Sequence, residues 1–386
     1  MHGGLGRWLT QVWAGPRPGL AARLLQPLSW LYAVLAALHK AAYQSGLLQR
    51  QSAPVPLLVV GNLVAGGAGK TPAVIALVGL LRQQGWTPGV ITRGHGRTGR
   101  TVVVLQRGSA AAEVGDEPLL IHLRTGAPVA VGTARAAAAR ALCAAQPAID
   151  ILLADDGLQH HRLRHDMAVL VFDERGAGNG LRLPAGPLRE ALPQQPPPHT
   201  LVLYTTGQPG TALPGLPGFS GRRRLAAVQP LADWWQGLAH GAAHANADAD
   251  ANANADADAD AGWAALRGRP LLAAAGLARP EPFFVMLEAQ GLTISRLPLA
   301  DHQAFSTLPW PAGTADVIVT EKDAVKLPPG AVGGTRVWVA GLDFQPEAGF
   351  AEALRTLCAP FKPRASPPAS QATRTTPAHP TGPTPP

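Results

Sequence analysis

Cysteine is nearly absent from this 386-residue chain, which contains only Cys143 and Cys358. The two are far apart, and neither belongs to a CxxC pair or to a Cys/His spacing typical of zinc ligands. The sequence therefore argues against a disulfide framework and a structural zinc site, and it fits a reducing, cytosolic setting. We interpret both cysteines as small buried apolar residues.

Aromatic and charged residues are also scarce, at 5% and 15% of the chain, and the formal net charge is +8. A positive balance suits an anionic partner such as a nucleotide, a nucleic acid or an acidic membrane surface. Nucleic acid is the weaker interpretation, because no block of Lys and Arg alternates with aromatics and no known nucleic-acid motif occurs. We therefore expect no nucleic-acid partner.

The apolar run near the N-terminus is short. It extends from Leu28 to Leu38, whereas a bilayer span needs about 20 apolar residues. No small-residue cleavage site follows it in a convincing position, which argues against a secretory signal. Cations, tryptophans and a tyrosine flank the run, so we predict that residues 1–50 form a helical segment lying in the membrane interface. The alternative is a helix packed on the protein core.

A glycine-rich turn lies between a predicted strand and a predicted helix, where residues 59–72 read VVGNLVAGGAGKTP. Glycines allow backbone N–H groups to converge on phosphate oxygens at a helix N-terminus. Lys70 would reach the β- and γ-phosphates of a nucleotide and the Thr71 hydroxyl would bind Mg²⁺, although Val64 occupies the first glycine position of the strict GxxxxGK[ST] pattern. An ordinary strand–helix connection is the alternative. The nucleotide-binding residues predicted here are Gly66, Gly67, Ala68, Gly69, Lys70 and Thr71.

Apolar segments of strand length alternate with helical segments over most of the chain. PLLVVGN, TPGVITRG, IDILLADDG and MAVLVFD are typical of buried strands, whereas PAVIALVGLLRQQG and ARAAAARALCAAQ are typical of helices. This alternation indicates a parallel sheet covered by helices on both faces. The predicted fold is α/β, with a P-loop NTPase-like parallel-sheet domain at 51–215 and a second, smaller α/β domain at 216–360.

Two adjacent carboxylates, Asp155 and Asp156, follow another predicted strand. Parallel strands bring their C-terminal ends to the same sheet edge, so these side chains should lie near the glycine-rich turn. Carboxylate oxygens are ligands that Mg²⁺ prefers, which predicts metal association. Gln159 and His160 would lie one turn away. A capping role for the aspartates is the alternative.

The loop at 172–192 contains many turn-forming residues, which indicates an ordered loop wrapped over a ligand. At its end, Arg189 would neutralise a transferring phosphate and Glu190 would bind metal. An ordinary surface ion pair at a helix start is the alternative for both.

Asp116 follows a glycine, and His302 stands beside Asp301. A histidine paired with a carboxylate can supply the base that a phosphoryl-accepting hydroxyl needs. Lys322 and Asp323 stand at the end of a further predicted strand. On spacing alone, a helix cap or a surface group is the favoured interpretation of each residue.

Two segments lack the pattern of a packed structure. Residues 239–262 form an Ala–Asx repeat with no apolar face, and residues 361–386 are rich in Pro and Thr. We predict a disordered insertion and a disordered tail. The repeat does not have the spacing of a calcium-binding loop.

Together these segments resemble the tetraacyldisaccharide 4'-kinase family of the lipid A pathway in Gram-negative bacteria. The matching segments follow the family's order over roughly residues 20–360, and the family likewise lacks glycine at the position of Val64. One departure is that the family commonly has DHH where this chain has Asp301, His302 and Gln303. The segments are VVGNLVAGGAGKTP, VITRGHGR, VGDEPLL, ADDGLQHHRLRHD, GNGLRLPAGPLRE, AGLARPEPFF, DHQAF and VTEKDAVK.

The resemblance implies transfer of the γ-phosphate of ATP to the 4'-hydroxyl of an acylated glucosamine disaccharide 1-phosphate, with Mg²⁺, to give lipid IVA. It implies a peripheral enzyme on the cytoplasmic face of the inner membrane. Asp116 would be the catalytic base and His302 its partner, with Lys70 and Arg189 as further catalytic residues. The implied metal-associated residues are Thr71, Asp155, Asp156, Gln159 and Glu190, with His160 completing the site.

The residues alone leave two other functions open. One is a nucleotide-switched binding protein, which would hydrolyse nucleotide slowly without an acceptor. The other is a soluble P-loop small-molecule kinase or ATP-dependent ligase, which would have no membrane association to lose on removal of the N-terminal segment.

Overall fold

The computed structural model describes residues 4–15, 17–66, 69–106, 108–194, 197–206, 218–240, 261–303, 305 and 307–362. Most of the Ala–Asx repeat and all of the tail after residue 362 lie outside these ranges, as do Gly67 and Ala68 of the glycine-rich turn. The predictions made for those residues stay predictions.

Strands and helices alternate along the described chain, as the apolar pattern predicts. The strands are β1 (Leu57–Gly61), β2 (Pro88–Thr92), β3 (Val103–Val104), β4 (Val129–Val131), β5 (Ile151–Asp155), β6 (Met167–Phe172), β7 (Thr200–Tyr204), β8 (Phe219–Pro230), β9 (Pro270–Ala275), β10 (Thr293–Pro298), β11 (Asp316–Thr320) and β12 (Arg336–Pro346). The helices are α1 (Gly4–Trp13), α2 (Leu20–Gln44), α3 (Lys70–Gln83), α4 (Ala111–Val114), α5 (Asp116–Thr125), α6 (Arg135–Ala145), α7 (Leu231–His240), α8 (Glu281–Ala289), α9 (Glu321–Ala324) and α10 (Ala348–Cys358).

The described strands form one sheet in the order β10-β9-β11-β12-β8-β7-β6-β1-β5-β2-β4-β3. Neighbouring strands are parallel except for the pairs β3–β4 and β8–β12. The parallel-dominated sheet with covering helices confirms the predicted α/β fold.

The central strands are buried on both faces, which explains why they are continuous apolar runs. In β1, Leu58 and Val60 pack on the side of α3, whereas Leu57 and Val59 pack on the side of α6. Successive side chains of a strand point to opposite faces, so one apolar segment serves two cores. Cys358 is fully buried as predicted, whereas Cys143 on α6 is only partly buried, so the prediction was wrong for that residue.

The apolar pattern of the sequence does not predict the long antiparallel pair β8–β12. Strand β8 includes the run Arg222–Arg224 and has a mixed burial pattern, so it carries no clear apolar signal. It pairs with β12 along most of its length and with β7 only at Phe219 and Ser220. The two sets of parallel strands thereby join into one sheet, and the division into domains at 51–215 and 216–360 stays a prediction.

Helix α2 is longer than the apolar run at Leu28–Leu38 suggests, because helical residues continue on both sides of that run. Its 25 residues are long and apolar enough to cross a bilayer by length and composition alone, which differs from the expectation of a segment too short to span. The helix is not a buried core helix, since only 11% of its most apolar 18-residue stretch is buried in the protein.

One face of α2 contacts the loop that precedes Glu190. The Ser29 hydroxyl donates a hydrogen bond to the Arg182 carbonyl at 2.8 Å, and the Tyr32 hydroxyl donates one to the Arg189 carbonyl at 2.9 Å. The helix is therefore fixed beside the predicted site, with leucines on its other faces exposed.

Candidate functional site

A cavity of about 980 Å³ lies where several parallel strands end. Ligands of open α/β sheets bind at this edge, beyond the carboxyl ends of the strands. The residues predicted from sequence that line it are Gly66, Gly69, Lys70, Thr71, Asp155, Asp156, Gln159, His160, Arg189 and His302. Segments far apart in the sequence therefore share one cavity.

The glycine-rich turn connects β1 to α3. Gly66 and Gly69 have φ values of 98° and 71°, a backbone region that favours glycine, and α3 begins immediately afterwards at Lys70. The Lys70 ammonium lies 3.3 Å from the Asn62 side-chain oxygen and 3.2 Å from a carboxylate oxygen of Asp156. The turn thus places a cation and the N-terminus of a helix at the cavity.

Asn62 is a site residue that sequence reasoning missed. Its fully buried amide donates a hydrogen bond to the Gly66 carbonyl at 3.2 Å while its oxygen accepts from Lys70. Asn62 directly follows β1 at the same edge as the predicted carboxylates, and this position was the signal that could have identified it.

Asp155 is almost completely buried at the end of β5, with 3% of its surface exposed. Burial raises the pKa of Asp155 to about 7, helped by the carboxylates of Glu117 and Asp156 and opposed by Lys70. Its Oδ1 atom has no hydrogen-bond partner within the described part of the chain. A buried carboxylate oxygen without a partner is suited to a cation.

Asp156 is held as an anion. Burial opposes its charge, but Lys70 and Arg189 outweigh that effect and lower the pKa of Asp156. Arg135, which sequence reasoning also missed, donates hydrogen bonds from its guanidinium to the carbonyls of Asp155 and Asp156 at 2.8 and 3.0 Å. Asp156 has a φ of 49°, so Arg135 stabilises an uncommon backbone conformation.

Among the described residues, no group of three or more His, Cys, Asp or Glu side chains is arranged to hold a metal ion. Mg²⁺ is usually bound in kinase sites by one or two carboxylates together with phosphate oxygens and water. The unpartnered oxygen of Asp155 and the Thr71 position on the same cavity fit an ion that arrives with a nucleotide.

Arg189, Gln159 and Glu190 form a hydrogen-bonded network beside these carboxylates. Arg189 donates to Asp156 at 3.0 Å and to the Gln159 side-chain oxygen at 3.1 Å. The Gln159 amide donates to Glu190 at 3.1 Å, and the other Glu190 oxygen lies 3.4 Å from the Lys40 ammonium of α2. Glu190 thus contacts Gln159 and α2, and its predicted role as a metal ligand stays a prediction.

Asp116 and His302, 186 residues apart in sequence, form a hydrogen-bonded pair. The His302 Nδ1 atom lies 3.0 Å from both carboxylate oxygens of Asp116, the first residue of α5. The hydrogen bond with Asp116 raises the pKa of His302. Burial opposes the charge of Asp116, but His302 and Lys322 outweigh it and lower the pKa of Asp116.

Lys322 completes the environment of this pair. Its ammonium lies 2.8 Å from Asp301, 3.1 Å from Glu117 and 3.2 Å from the His302 Nε2 atom. Burial opposes its charge, but the surrounding carboxylates outweigh that effect and raise the pKa of Lys322. It therefore stays a cation beside His302.

The neighbouring Asp323 has a structural role instead. It is fully buried and accepts hydrogen bonds from the Gly276 amide and the Thr320 hydroxyl. His160 lines the cavity, where burial and nearby arginines lower its pKa to about 4, so it is neutral at pH 7.

The sequence also matches known proteins along most of its length. The family model LpxK, described as Tetraacyldisaccharide-1-P 4'-kinase, matches residues 21–359. A tetraacyldisaccharide 4'-kinase of Methylibium petroleiphilum is 51% identical over 92% of this chain and 95% of its own length. A second, from Leptothrix cholodnii, is 48% identical over 86% of this chain and 91% of its own length.

The fold has a counterpart among solved structures. The apo form of LpxK from Aquifex aeolicus, crystallised in complex with ATP, superposes with a TM-score of 0.67 at 23% sequence identity, covering 89% of this chain and 99% of that one. This similarity supports the fold, and the family is identified by the matches in sequence. The chain therefore belongs to the tetraacyldisaccharide-1-P 4'-kinase family.

Proposed function

We propose that this chain transfers the γ-phosphate of ATP to the 4'-hydroxyl of tetraacyldisaccharide 1-phosphate, a reaction of lipid A biosynthesis. The observation that carries the proposal is that Lys70 and His302, the latter held on Asp116, line one cavity in a member of this family. A phosphate-binding turn and an acid–base pair are the two halves that phosphoryl transfer to a hydroxyl requires.

The nucleotide half consists of the turn around Gly66 and Gly69, Lys70 and Thr71. Backbone N–H groups and the Lys70 ammonium suit the phosphates of ATP. Mg²⁺, held by Thr71 and Asp155 together with phosphate oxygens, would supply neutralisation of the negative charge on the transferring group. Arg189, fixed by Asp156 and Gln159, contributes a second protein cation on the same cavity.

The acceptor half is the pair Asp116–His302. Because its pKa is lowered, Asp116 is a carboxylate at neutral pH and can accept the proton of the 4'-hydroxyl. Bond formation to the attacking oxygen is slight in a loose phosphoryl-transfer transition state, so a weak but well-positioned base suffices. His302 orients the carboxylate through its Nδ1 atom, and Lys322 contacts the opposite ring nitrogen.

The proposal includes a peripheral position on the cytoplasmic face of the inner membrane. The acyl chains of the acceptor favour the bilayer, so the ATP site must come to a hydroxyl anchored at the surface. Helix α2 supports this, because its exposed leucines would enter the interface while Tyr32 and Lys40 contact the loop that carries Arg189 and Glu190.

A transfer assay with γ-labelled ATP and tetraacyldisaccharide 1-phosphate in detergent tests the proposal. Wild-type protein should produce labelled lipid and should turn over little ATP when the acceptor is omitted. Rapid ATP hydrolysis that does not depend on the acceptor, with no labelled lipid, would favour a nucleotide-driven switch and contradict the kinase.

The variant Asp116→Asn tests the assigned base in the same assay. It keeps the side-chain shape but removes the proton acceptor, so kcat should fall by about 10²- to 10⁴-fold. ATP affinity should be unchanged, because Asp116 lies in the acceptor half. A near-normal kcat would refute the role of Asp116 while leaving the kinase proposal intact.

A further inference from the structure

Two arginines that the proposed reaction does not use lie over the glycine-rich turn. A methyl group built on Gly69 would overlap the guanidinium of Arg223, and one built on Gly66 would lie 3.2 Å from the Arg175 Nη1 atom. Arg223 comes from β8, which is distant from the turn in sequence. The fold therefore brings guanidinium groups against the backbone that forms the phosphate-binding turn.

The two guanidinium groups differ in their partners. Arg175 is paired with Asp173, whose oxygens lie 2.7 to 3.0 Å from its nitrogens. Arg223 donates from Nη2 to the Thr205 hydroxyl at 3.0 Å, and its buried Nε has no hydrogen-bond partner among the described residues. The Arg223 Nε–H group is therefore a buried donor that still lacks an acceptor.

A buried N–H donor on a cation is unfavourable unless an acceptor, preferably an anion, accepts a hydrogen bond from it. Burial and the nearby Arg175 lower the pKa of Arg223, whereas Asp173 acts in the opposite direction. Arg223 also lines the cavity of about 980 Å³ that contains Lys70. A phosphate group entering at Gly69 would meet a guanidinium geometry suited to two parallel hydrogen bonds.

We propose that Arg223 is a nucleotide-binding residue that contacts the β- and γ-phosphates of the donor above the glycine-rich turn. The inference rests on the proposed function only in taking ATP as the donor. It assigns β8 a role in the active site, because this strand reaches from the second set of parallel strands to the phosphate-binding turn.

The test is binding of Mg-ATP, Mg-ADP and AMP to full-length wild-type and Arg223→Gln protein in detergent, without acceptor. Loss of charge-assisted hydrogen bonds should weaken ATP binding by about 10- to 100-fold. Binding of ADP should be weakened comparably. The affinity for AMP should change by less than about 3-fold by the same reasoning, because AMP lacks the β- and γ-phosphates. In the transfer assay, KM for ATP should rise while KM for the acceptor stays constant.

Arg222→Gln is the matched control. Arg222 is the preceding residue of β8 and is exposed, and adjacent residues of a strand point to opposite faces. The same loss of charge from the same strand should leave the affinities for ATP, ADP and AMP within about 2-fold of wild type, as expected for an exposed charge.

An equal loss of ATP and AMP affinity in Arg223→Gln, or no loss of either, would overturn the inference and leave Arg223 as a structural partner of Thr205. If Arg223→Gln does not fold, Arg223→Lys decides. It keeps the charge but loses the planar fork, so ATP binding should weaken several-fold with AMP unchanged. Wild-type ATP affinity in Arg223→Lys would refute the proposal. Binding is measured without acceptor, so failure of the lipid transfer assay is a separate result.

Discussion

At the residue scale, the Asp116–His302 pair is defined by charges from several elements. Asp116 and its neighbour Glu117 belong to α5, and Lys322 belongs to α9. Asp301 directly precedes His302, and the His95 ring centroid lies 5.1 Å from that of His302. The lowered pKa of Asp116 means that the fold favours its anionic form, and the raised pKa of His302 means that the fold favours its cationic form.

The contribution of this pair to folding should depend on pH in both directions. Because the pKa of Asp116 is lowered on folding, its carboxylate stabilises the folded state at pH values above the ordinary aspartate pKa of 3.8. This stabilisation is lost as the pH falls through the pKa of Asp116 in the folded state. Because the pKa of His302 is raised on folding, the protonated ring stabilises the folded state at pH values below the ordinary histidine pKa of 6.5. This stabilisation is lost as the pH rises through the pKa of His302 in the folded state. The pair therefore contributes its full stabilisation to the folded state between about pH 4 and 6.5.

We expect the midpoint of thermal unfolding to differ most between wild type and His302→Gln in this pH window and to differ less at pH 8 to 9. Asp116→Asn breaks the same interaction from the other side and should show a similar profile. A difference that is constant from pH 5 to pH 9 would contradict the charge pairing.

Individual site residues could be predicted from the sequence where a motif fixes local geometry, as in Lys70 after a glycine-rich turn. The partners could not. His302 and Asp116 are 186 residues apart, and only the fold brings them to 3.0 Å. Asn62 is marked only by its position after β1 within the segment VVGNLVAGGAGKTP, and Arg223 lies in a run of three arginines outside any motif.

At the scale of elements, a partly buried ion-pair cluster, in which Glu321 is buried, joins two helices that carry site residues. Arg124 in the last turn of α5 donates to Glu321 at 2.6 Å and to Asp343 at 2.5 Å. Glu321 is the first residue of α9 and also accepts from the Trp234 indole. Since α5 begins at Asp116 and Lys322 follows Glu321, the cluster fixes the two helices on which the acid–base pair depends.

Arg124→Met should destabilise the protein by about 3 to 5 kcal/mol, because removing one partner leaves a buried carboxylate without its counter-charge. Denaturant unfolding measures this change, and kcat should fall if the helices move apart. Arg355→Met removes an exposed ion pair with Glu352 and is the control, with a midpoint close to wild type. Equal midpoints for the two variants would show that the cluster does not stabilise the helix pair.

The exposed face of α2 supports a test of the membrane role. Leu28 and Leu35 are 55% and 57% exposed, so aspartate at both positions should not disturb the core. The double variant Leu28→Asp/Leu35→Asp should lose most of its sedimentation with anionic phospholipid vesicles, because both apolar and electrostatic contributions are reduced. Its ATP affinity and unfolding midpoint should match wild type.

Val285→Asp provides the matched control for the vesicle experiment. Val285 lies on α8 and is 54% exposed, so the substitution makes the same kind of change, one exposed apolar side chain to one negative charge, at a different part of the molecule. Each single variant, Leu28→Asp and Leu35→Asp, is the direct comparison for its charge change. Val285→Asp should sediment with vesicles as wild type does. Similar loss in both proteins would indicate a general charge effect and contradict a specific role of α2.

The central strands of the parallel sheet, such as β1, β5 and β6, could be predicted because each is buried on both faces and therefore nearly all apolar. The pair β8–β12 could not, because its residues alternate between buried and exposed environments and include Arg222–Arg224. The apolar length of α2 exceeds the run at Leu28–Leu38 for a related reason, since polar residues at both ends of that run interrupt the apolar residues that continue along the helix.

At the scale of the whole molecule, the main apolar core crosses the predicted boundary between domains. Leu58, Leu77 and Val169 belong to it, and so do Val319 and Phe350 from the C-terminal part. Because one core contains side chains from both parts, neither part buries its apolar surface completely alone. We therefore expect the chain to unfold in one cooperative transition.

Phe350→Ala tests this expectation. Phe350 is fully buried in α10 and lies edge-on to Phe219 of β8, with ring centroids 5.6 Å apart. The cavity left by the substitution should lower the free energy of unfolding by about 3 to 5 kcal/mol. Calorimetry should show a single transition that moves as a whole to lower temperature, whereas Val285→Ala, an exposed apolar truncation, should leave it in place. If the two parts unfold independently, the substitution will separate two transitions and displace only one, because the cavity then affects only the part that contains α10.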